Sequence, residues 1–400
     1  MAALLILVAL GTALLLWQQP WQSEQKTAPA PIPAGAAATL TVQFADLSAA
    51  TTQQEFARAA GAGSAAASFA ANTWQARADL GAEQVRFRYV SGGASAEFSN
   101  GDTRARVEIA WSDASDTTST GTIQVRMRPR EDGTFDIVSA GFGAGQLPVW
   151  LAGSVAVERT DGVTVVLVDD GDVDLAVADL AREARRQVAS VVPASATSSL
   201  VVISTPSPDI AAAVLGQPTD SVQQIAAVST AFDGRNGDLT GPVVVLNPEI
   251  FDAMDERAAQ VVMSHEAAHV LTGAVASTAD TWVTEGFADF VALHDDTAPL
   301  SVSAGRILAQ VRIGDVPAAL PTAEEFNSSA YGLGAVYESA WMVFRMLGEQ
   351  FDDATIIEFY RSVLAGASVD DAAQTAFGFG TSDLTDQWQD YLMNSASTVS

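Results

Sequence analysis

The stretch from Asp255 to Gly273, DERAAQVVMSHEAAHVLTG, leaves few folding options. An acidic helix start at Asp255, a glycine stop at Gly273 and no proline between them predict one continuous helix. Val261, Val262, Ala268 and Leu271 give it apolar flanks, so it belongs inside a core. Yet it also carries His265 and His269, two of the chain's three histidines. At about 100° per residue these two lie within roughly 40° of each other, one turn apart on one face. Two imidazoles so placed can hold one metal ion. Glu266 is turned by about 100° from His265, beside that ion, where a general base belongs. The bland alternative is a pair of core histidines bonded to neighbours. It has to produce the whole His-Glu-x-x-His spacing by chance in a chain almost free of histidine.

A hydrolytic zinc site needs three protein ligands and an open position. The extended motif with a further glycine and histidine would place them at Thr272 and Val275, so it is absent. The next candidate is Glu285 in WVTEGFADFVALH, sixteen residues past His269 at the start of a second apolar helix. His294 lies nine residues beyond Glu285. Nine steps of about 100° put it on the opposite helix face, so both cannot serve. Asp289, one turn after Glu285, shares its face and can accept the free ring N–H of a metal-bound histidine. Phe287, Phe290 and Val291 are expected to pack.

HEAAH followed by Glu285 within W-x-x-E-G-x-A-D-F resembles the gluzincin zinc metallopeptidases, the superfamily of thermolysin and the aminopeptidases. The short gap between the motifs is most like the compact bacterial peptidase-like branch. The resemblance covers roughly residues 148–400, with AVYESAWMVFRMLGEQF and FGFGTSDLTDQWQDYL reading like that group's helical tail. It implies one zinc ion held by His265, His269 and Glu285, with Glu266 as base, Asp289 behind the ligands and a peptide or protein substrate. It further implies that Tyr337 stabilises the oxyanion, although core packing accounts for Tyr337 equally well, and Tyr331 is an alternative. Asn247, ending the strand before the zinc helix, resembles the edge-strand residue that bonds substrate. The Gly-x-Met-x-Asn motif of the aminopeptidases is absent, so endo- or exopeptidase action stays open.

The rest of the chain divides by composition. Residues 1–19 include an uncharged apolar run ending at Trp17, about 25 Å long as a helix. An uncleaved membrane anchor is expected, with a cleaved signal as the alternative and the remaining domains outside the cytoplasm. Residues 20–37 include TAPAPIPAGAA, a semi-extended linker. Residues 38–147 read as a small α+β domain: an Ala-rich helix from Thr52 to Ala71, then alternating strands. That order resembles the cone-shaped nuclear-transport-factor-like fold. Residues 148–400 combine a small sheet with a mainly helical C-terminal half, so the whole chain is expected to be α+β. DDGDVD at 169–174 lacks the glycine and glutamate of a calcium loop and reads as a turn and helix cap.

With 20 basic against 48 acidic residues, the net charge of −28 argues against nucleic acid. Cysteine is absent, which excludes disulfides, thiolate ligands and cysteine nucleophiles. If the early strands are neighbours, Arg86, Arg88, Arg106, Arg126 and Arg128 stand on one sheet face. That face is either simply solvated or a docking surface, for the chain's own acidic second domain or for an anionic envelope polymer. The functional expectation is a membrane-anchored extracytoplasmic zinc metallopeptidase. The alternative is a catalytically silent peptidase-fold module that binds or assembles in the cell envelope.

Overall fold

The structure is a computed structural model that describes residues 30–31, 35–94, 101–112, 118–141, 146–169, 171–232, 241–326 and 332–398. It is α+β, as expected. The first sheet contains β1 (Ala30–Pro31), β2 (Glu83–Ala94), β3 (Thr103–Ser112), β4 (Thr118–Pro129) and β5 (Phe135–Ala140), paired antiparallel in chain order. Alternation along these strands sends Val85, Phe87, Val107, Ile109, Trp111, Val125 and Met127 to a buried face.

Three helices cover that face, where one was expected: α1 (Ala36–Ala49), α2 (Gln53–Ala60) and α3 (Ser64–Asp79). The expected Thr52–Ala71 helix is broken at Gly61–Ala62–Gly63. There the Asp136 carboxylate accepts the N–H groups of Ala62 and Gly63 at 2.9 and 3.0 Å. A Cβ on Gly61 would stand 2.4 Å from Asp136 Oδ1, so the approach requires glycine. Thr52 caps α2, and Glu55 closes the capping box. The unexpected helix α1 buries Leu40, Phe44 and Leu47.

The second sheet has the order β6-β7-β8-β10-β9. Its strands are β6 (Ala156–Thr160), β7 (Val163–Leu167), β8 (Leu200–Ser204), β9 (Ala227–Phe232) and β10 (Gly241–Leu246). Strands β7, β8 and β10 run parallel, and β6 and β9 flank them antiparallel. Helix α4 (Leu175–Val191) links β7 to β8, and α5 (Pro208–Leu215) and the single turn α6 (Thr219–Val222) lead to β9. Asp174 caps α4 by accepting from Ala176 N, as expected, while Asp170 of the aspartate-rich stretch lies outside the described residues.

This sheet is buried on both faces, which is why its strands are nearly continuous apolar runs. Val166, Ile203, Val243 and Val245 face a core shared with the first sheet, α1–α3 and the Leu147–Leu151 segment. Val165, Val202, Val244 and Leu246 face a second core of helices. After the turn α7 (Pro248–Phe251) these are α8 (Glu256–Thr272), α9 (Thr281–Ala292), α10 (Leu300–Ser303), α11 (Gly305–Arg312) and α12 (Ala323–Phe326). The chain ends with α13 (Leu333–Gln350), α14 (Asp353–Leu364), α15 (Val369–Phe377) and α16 (Thr381–Thr398). The apolar cores therefore do not divide at 147/148. Among the described residues no helix is long and apolar enough to cross a membrane, and the expected anchor at 1–19 lies outside them.

Candidate metal centre

Helix α8 starts where Asp255 accepts from Ala258 N and stops at Gly273 in the left-handed conformation (φ 81°). Between them Met263–Val270 is buried on every side, so α8 runs through the core and not over it. Helix α9 packs against it and α13 packs against α9. Gly286 sets the second contact: a Cβ there would lie 2.6 Å from the Ala340 carbonyl oxygen. The glycine after Glu285 thus lets α13 approach the backbone of the turn that carries the candidate ligand.

These helices bring together the three expected ligands. His265 Nε2 lies 2.9 Å from His269 Nε2 and 3.2 Å from Glu285 Oε2, and His269 Nε2 lies 3.4 Å from the same oxygen. A tetrahedron with bonds of roughly 2.0–2.1 Å has edges of about 3.3 Å, so the three donor atoms fit one zinc-sized cation. All three residues are at most 7% exposed. Without a cation, two imidazole nitrogens and a carboxylate would be converging on one buried point. Two imidazoles and one carboxylate form a donor set that could hold a metal ion.

Asp289 stands where the second helix was expected to place it. His265 Nδ1 and Asp289 Oδ1 are 2.7 Å apart, which fixes the ring and aims Nε2 at the other ligands. Burial by itself would push the His265 imidazolium down. The charge of Asp289, its hydrogen bond and Glu285 more than reverse this and raise it to about 10. Burial likewise works against the Glu285 carboxylate, and the two imidazoles overcome it and hold its pKa low.

Glu266 is 2% exposed and lies off the ligand face. Its Oε2 accepts the Ser229 N–H at 2.7 Å. Burial raises its pKa despite the nearby histidines. Tyr337 is 1% exposed and meets the edge of Phe326 at 5.0 Å between centroids. Burial, then Glu285, Asp289 and Glu266, raise its hydroxyl well above the usual tyrosine range, so it stays protonated beside the cluster. Both readings of Tyr337 meet here: it is a core aromatic, and it sits in the field of the site. Tyr331 lies outside the described residues. His294, expected on the opposite face of this helix, lies beyond the end of α9, 3.2 Å from Asp353 Oδ2 and outside the ligand group.

Asn247 requires a correction. It follows β10, which lies between β8 and β9, so it is not on an edge. It is buried, donates from Nδ2 to the Val222 carbonyl at 2.9 Å and caps α7 by accepting from Glu249 N. The edge strand beside β10 is β9, which supplies the Ser229 contact to Glu266.

Sequence reasoning missed Ser229, and also a clamp behind the ligands. Gln187 of α4 donates to the carbonyls of Val291 and Ala292 at 3.0 Å and accepts from Ser264 Oγ at 2.7 Å. It ties the end of α9 to the residue before His265. No local pattern marks either residue, because both act across long sequence separations. Gly286, by contrast, was visible within the second motif. No family model matches the chain, and no curated protein matches it.

Proposed function

We propose that this chain is a zinc-dependent metallopeptidase, tethered by its N-terminal segment outside the cytoplasm. The observation that carries the reading is the convergence of His265, His269 and Glu285, with Asp289 behind them and Glu266 beside them. A zinc ion held by the three ligands would polarise the scissile carbonyl and lower the pKa of a water towards about 7.

The chain's own groups account for the rest. Ser229 N–H fixes one oxygen of Glu266, leaving the other to take a proton from the attacking water and pass it to the leaving amine. The raised proton affinity that burial gives Glu266 suits a group that must accept a proton and then release it. Tyr337, protonated and beside the carboxylates, is the hydrogen-bond donor for the developing oxyanion. The pairing of β9 with β10 turns the backbone groups of Ala227 and Ser229 away from β10, and there the Ser229 N–H is taken by Glu266.

The test is digestion of a complex peptide mixture, with new termini read by mass spectrometry and bound zinc measured in parallel. Glu266→Gln is expected to keep the metal and lose about 10²–10⁴-fold in turnover. His265→Ala is expected to lose both. Full activity in Glu266→Gln would remove the base assignment, and no cleavage by zinc-loaded wild type would favour the silent binding module.

A further inference from the structure

The outward face of the first sheet carries a line of positive charge that the metal centre does not explain. Across β2, β3 and β4 the paired rows are Arg86–Ala110–Thr120, Arg88–Glu108–Thr122, Ser91–Arg106–Gln124 and Gly93–Arg104–Arg126. Arg128 follows on β4, opposite Asp136. The arginines therefore shift one strand sideways as they move along the sheet: 86 and 88 on β2, 106 and 104 on β3, 126 and 128 on β4. Rows are about 6.7 Å apart and strands about 4.8 Å apart, so the band is oblique and on the order of 25–30 Å long.

The band is only partly neutralised by its surroundings. Glu108 pairs with Arg88, and buried Asp102 holds Arg126 and Arg128 at 2.7 and 2.9 Å. Arg86 and Arg106 are exposed, and no hydrogen bond or ion pair to either occurs among the described residues. Arg104 and Arg126 stand directly opposite one another across β3 and β4. Between the charges lie Ala110, Thr120 and Thr122, part of a shallow depression of about 610 Å³. Among the described residues no ion pair joins this face to residues 152–400.

Charge is also unevenly shared along the chain. Residues 36–151 hold nine arginines and twelve carboxylates, whereas residues 152–400 hold ten arginines and thirty-five carboxylates. A positive line on the less acidic part is thus not a by-product of overall composition.

We propose that this band is a docking track for a linear polyol- or sugar-phosphate polymer. Guanidinium forks match phosphate oxygens bidentately. The oblique line suits a chain of repeating anions better than a compact acidic protein surface. The small and hydroxylated side chains between the charges leave room for polyol or sugar units. The chain's net charge repels any polyanion at a distance, but at physiological ionic strength that field fades within about 8 Å. Binding then acts at contact and weakens steeply with salt.

The experiment titrates labelled poly(glycerol phosphate) into the full-length chain over a range of salt. Arg86→Glu with Arg106→Glu is compared with Arg361→Glu, which makes a charge reversal at an exposed position of α14. The wild type is expected to bind. The double reversal should weaken binding at least tenfold, and the double Lys variant should retain most of it. Each lost contact should flatten the salt dependence by a slope of about 1. Arg361→Glu should bind like wild type. No binding by wild type, or equal loss in Arg361→Glu, overturns the proposal. So does equal affinity for polyglutamate, which would point to a carboxylate partner, or salt-sensitive self-association lost in the double reversal, which would point to a second copy.

Discussion

His265 lies within hydrogen-bonding reach of His269, Glu285 and Asp289, and all four residues are 0–7% exposed. On the first sheet, Arg88 and Glu108 also pair, but their side chains are 69% and 45% exposed. Both groups set opposite charges side by side, and the environments make them different objects. In the helical core desolvation opposes every charge, so each must be met by a fixed partner. His265 shows the balance: burial is the largest influence on its pKa and lowers it, yet two carboxylates carry the net shift upward. On the sheet water screens the same charges, and the arginines are placed by the two-residue period of the strands. Geometry in the core is therefore tightly determined, whereas the sheet face can be edited without unfolding.

The largest expected effect breaks the core side of this contrast. His265→Ala in metal-free protein leaves Asp289 buried without its imidazole partner and Glu285 with His269 alone. Removing one member of a buried charge pair costs about 3–5 kcal/mol. Urea unfolding of the metal-free variant measures it, and a loss below about 1 kcal/mol would mean that the cluster is not a buried ion network. Next in size, Asp289→Asn keeps the shape but removes the acceptor that aims His265. Zinc affinity, measured against a competing chelator, is expected to fall about 10–100-fold with the fold intact. Unchanged affinity would make Asp289 a helix-packing residue only.

Smaller again is Gln187→Leu. It removes two donations to the end of α9 and the acceptor for Ser264 Oγ. The loss is expected at about 1–3 kcal/mol, because the Ser264 hydroxyl is then left without that acceptor. Chemical denaturation reads it.

The same contrast explains what the sequence made legible. His265, Glu266, His269, Glu285 and Asp289 lie on two helices whose period converts spacing into direction, so their convergence could be read from the chain alone. The strand alternation placed the arginines on one face for the same reason. Strand order has no such local signal, which is why Asn247 was expected at an edge when β10 is interior and β9 is the edge. Ser229 and Gln187 act across 37 and 77 residues or more, and nothing nearby in sequence announces them. The break between α2 and α3 was half visible. Gly61 and Gly63 are plain in the sequence, but the Asp136 carboxylate that needs them arrives from β5. Helix α1 was overlooked beside the Pro/Ala-rich segment, although Leu40, Phe44 and Leu47 already spell one apolar stripe.

The smallest expected effect tests the sheet side directly. Arg88 and Glu108 face each other across β2 and β3 with both side chains in water. A double-mutant cycle through Arg88→Ala and Glu108→Ala should give a coupling of no more than about 1 kcal/mol. Added salt should shrink it further, because exposed charges are screened over about 8–10 Å. A coupling as large as that expected for His265 would show that the sheet face is pre-organised like the core. The arginine band would then be a structural network in its own right and not a surface waiting for an anionic partner. A small, salt-sensitive coupling leaves Arg88 free to trade Glu108 for a phosphate at little cost, which is what a docking track needs.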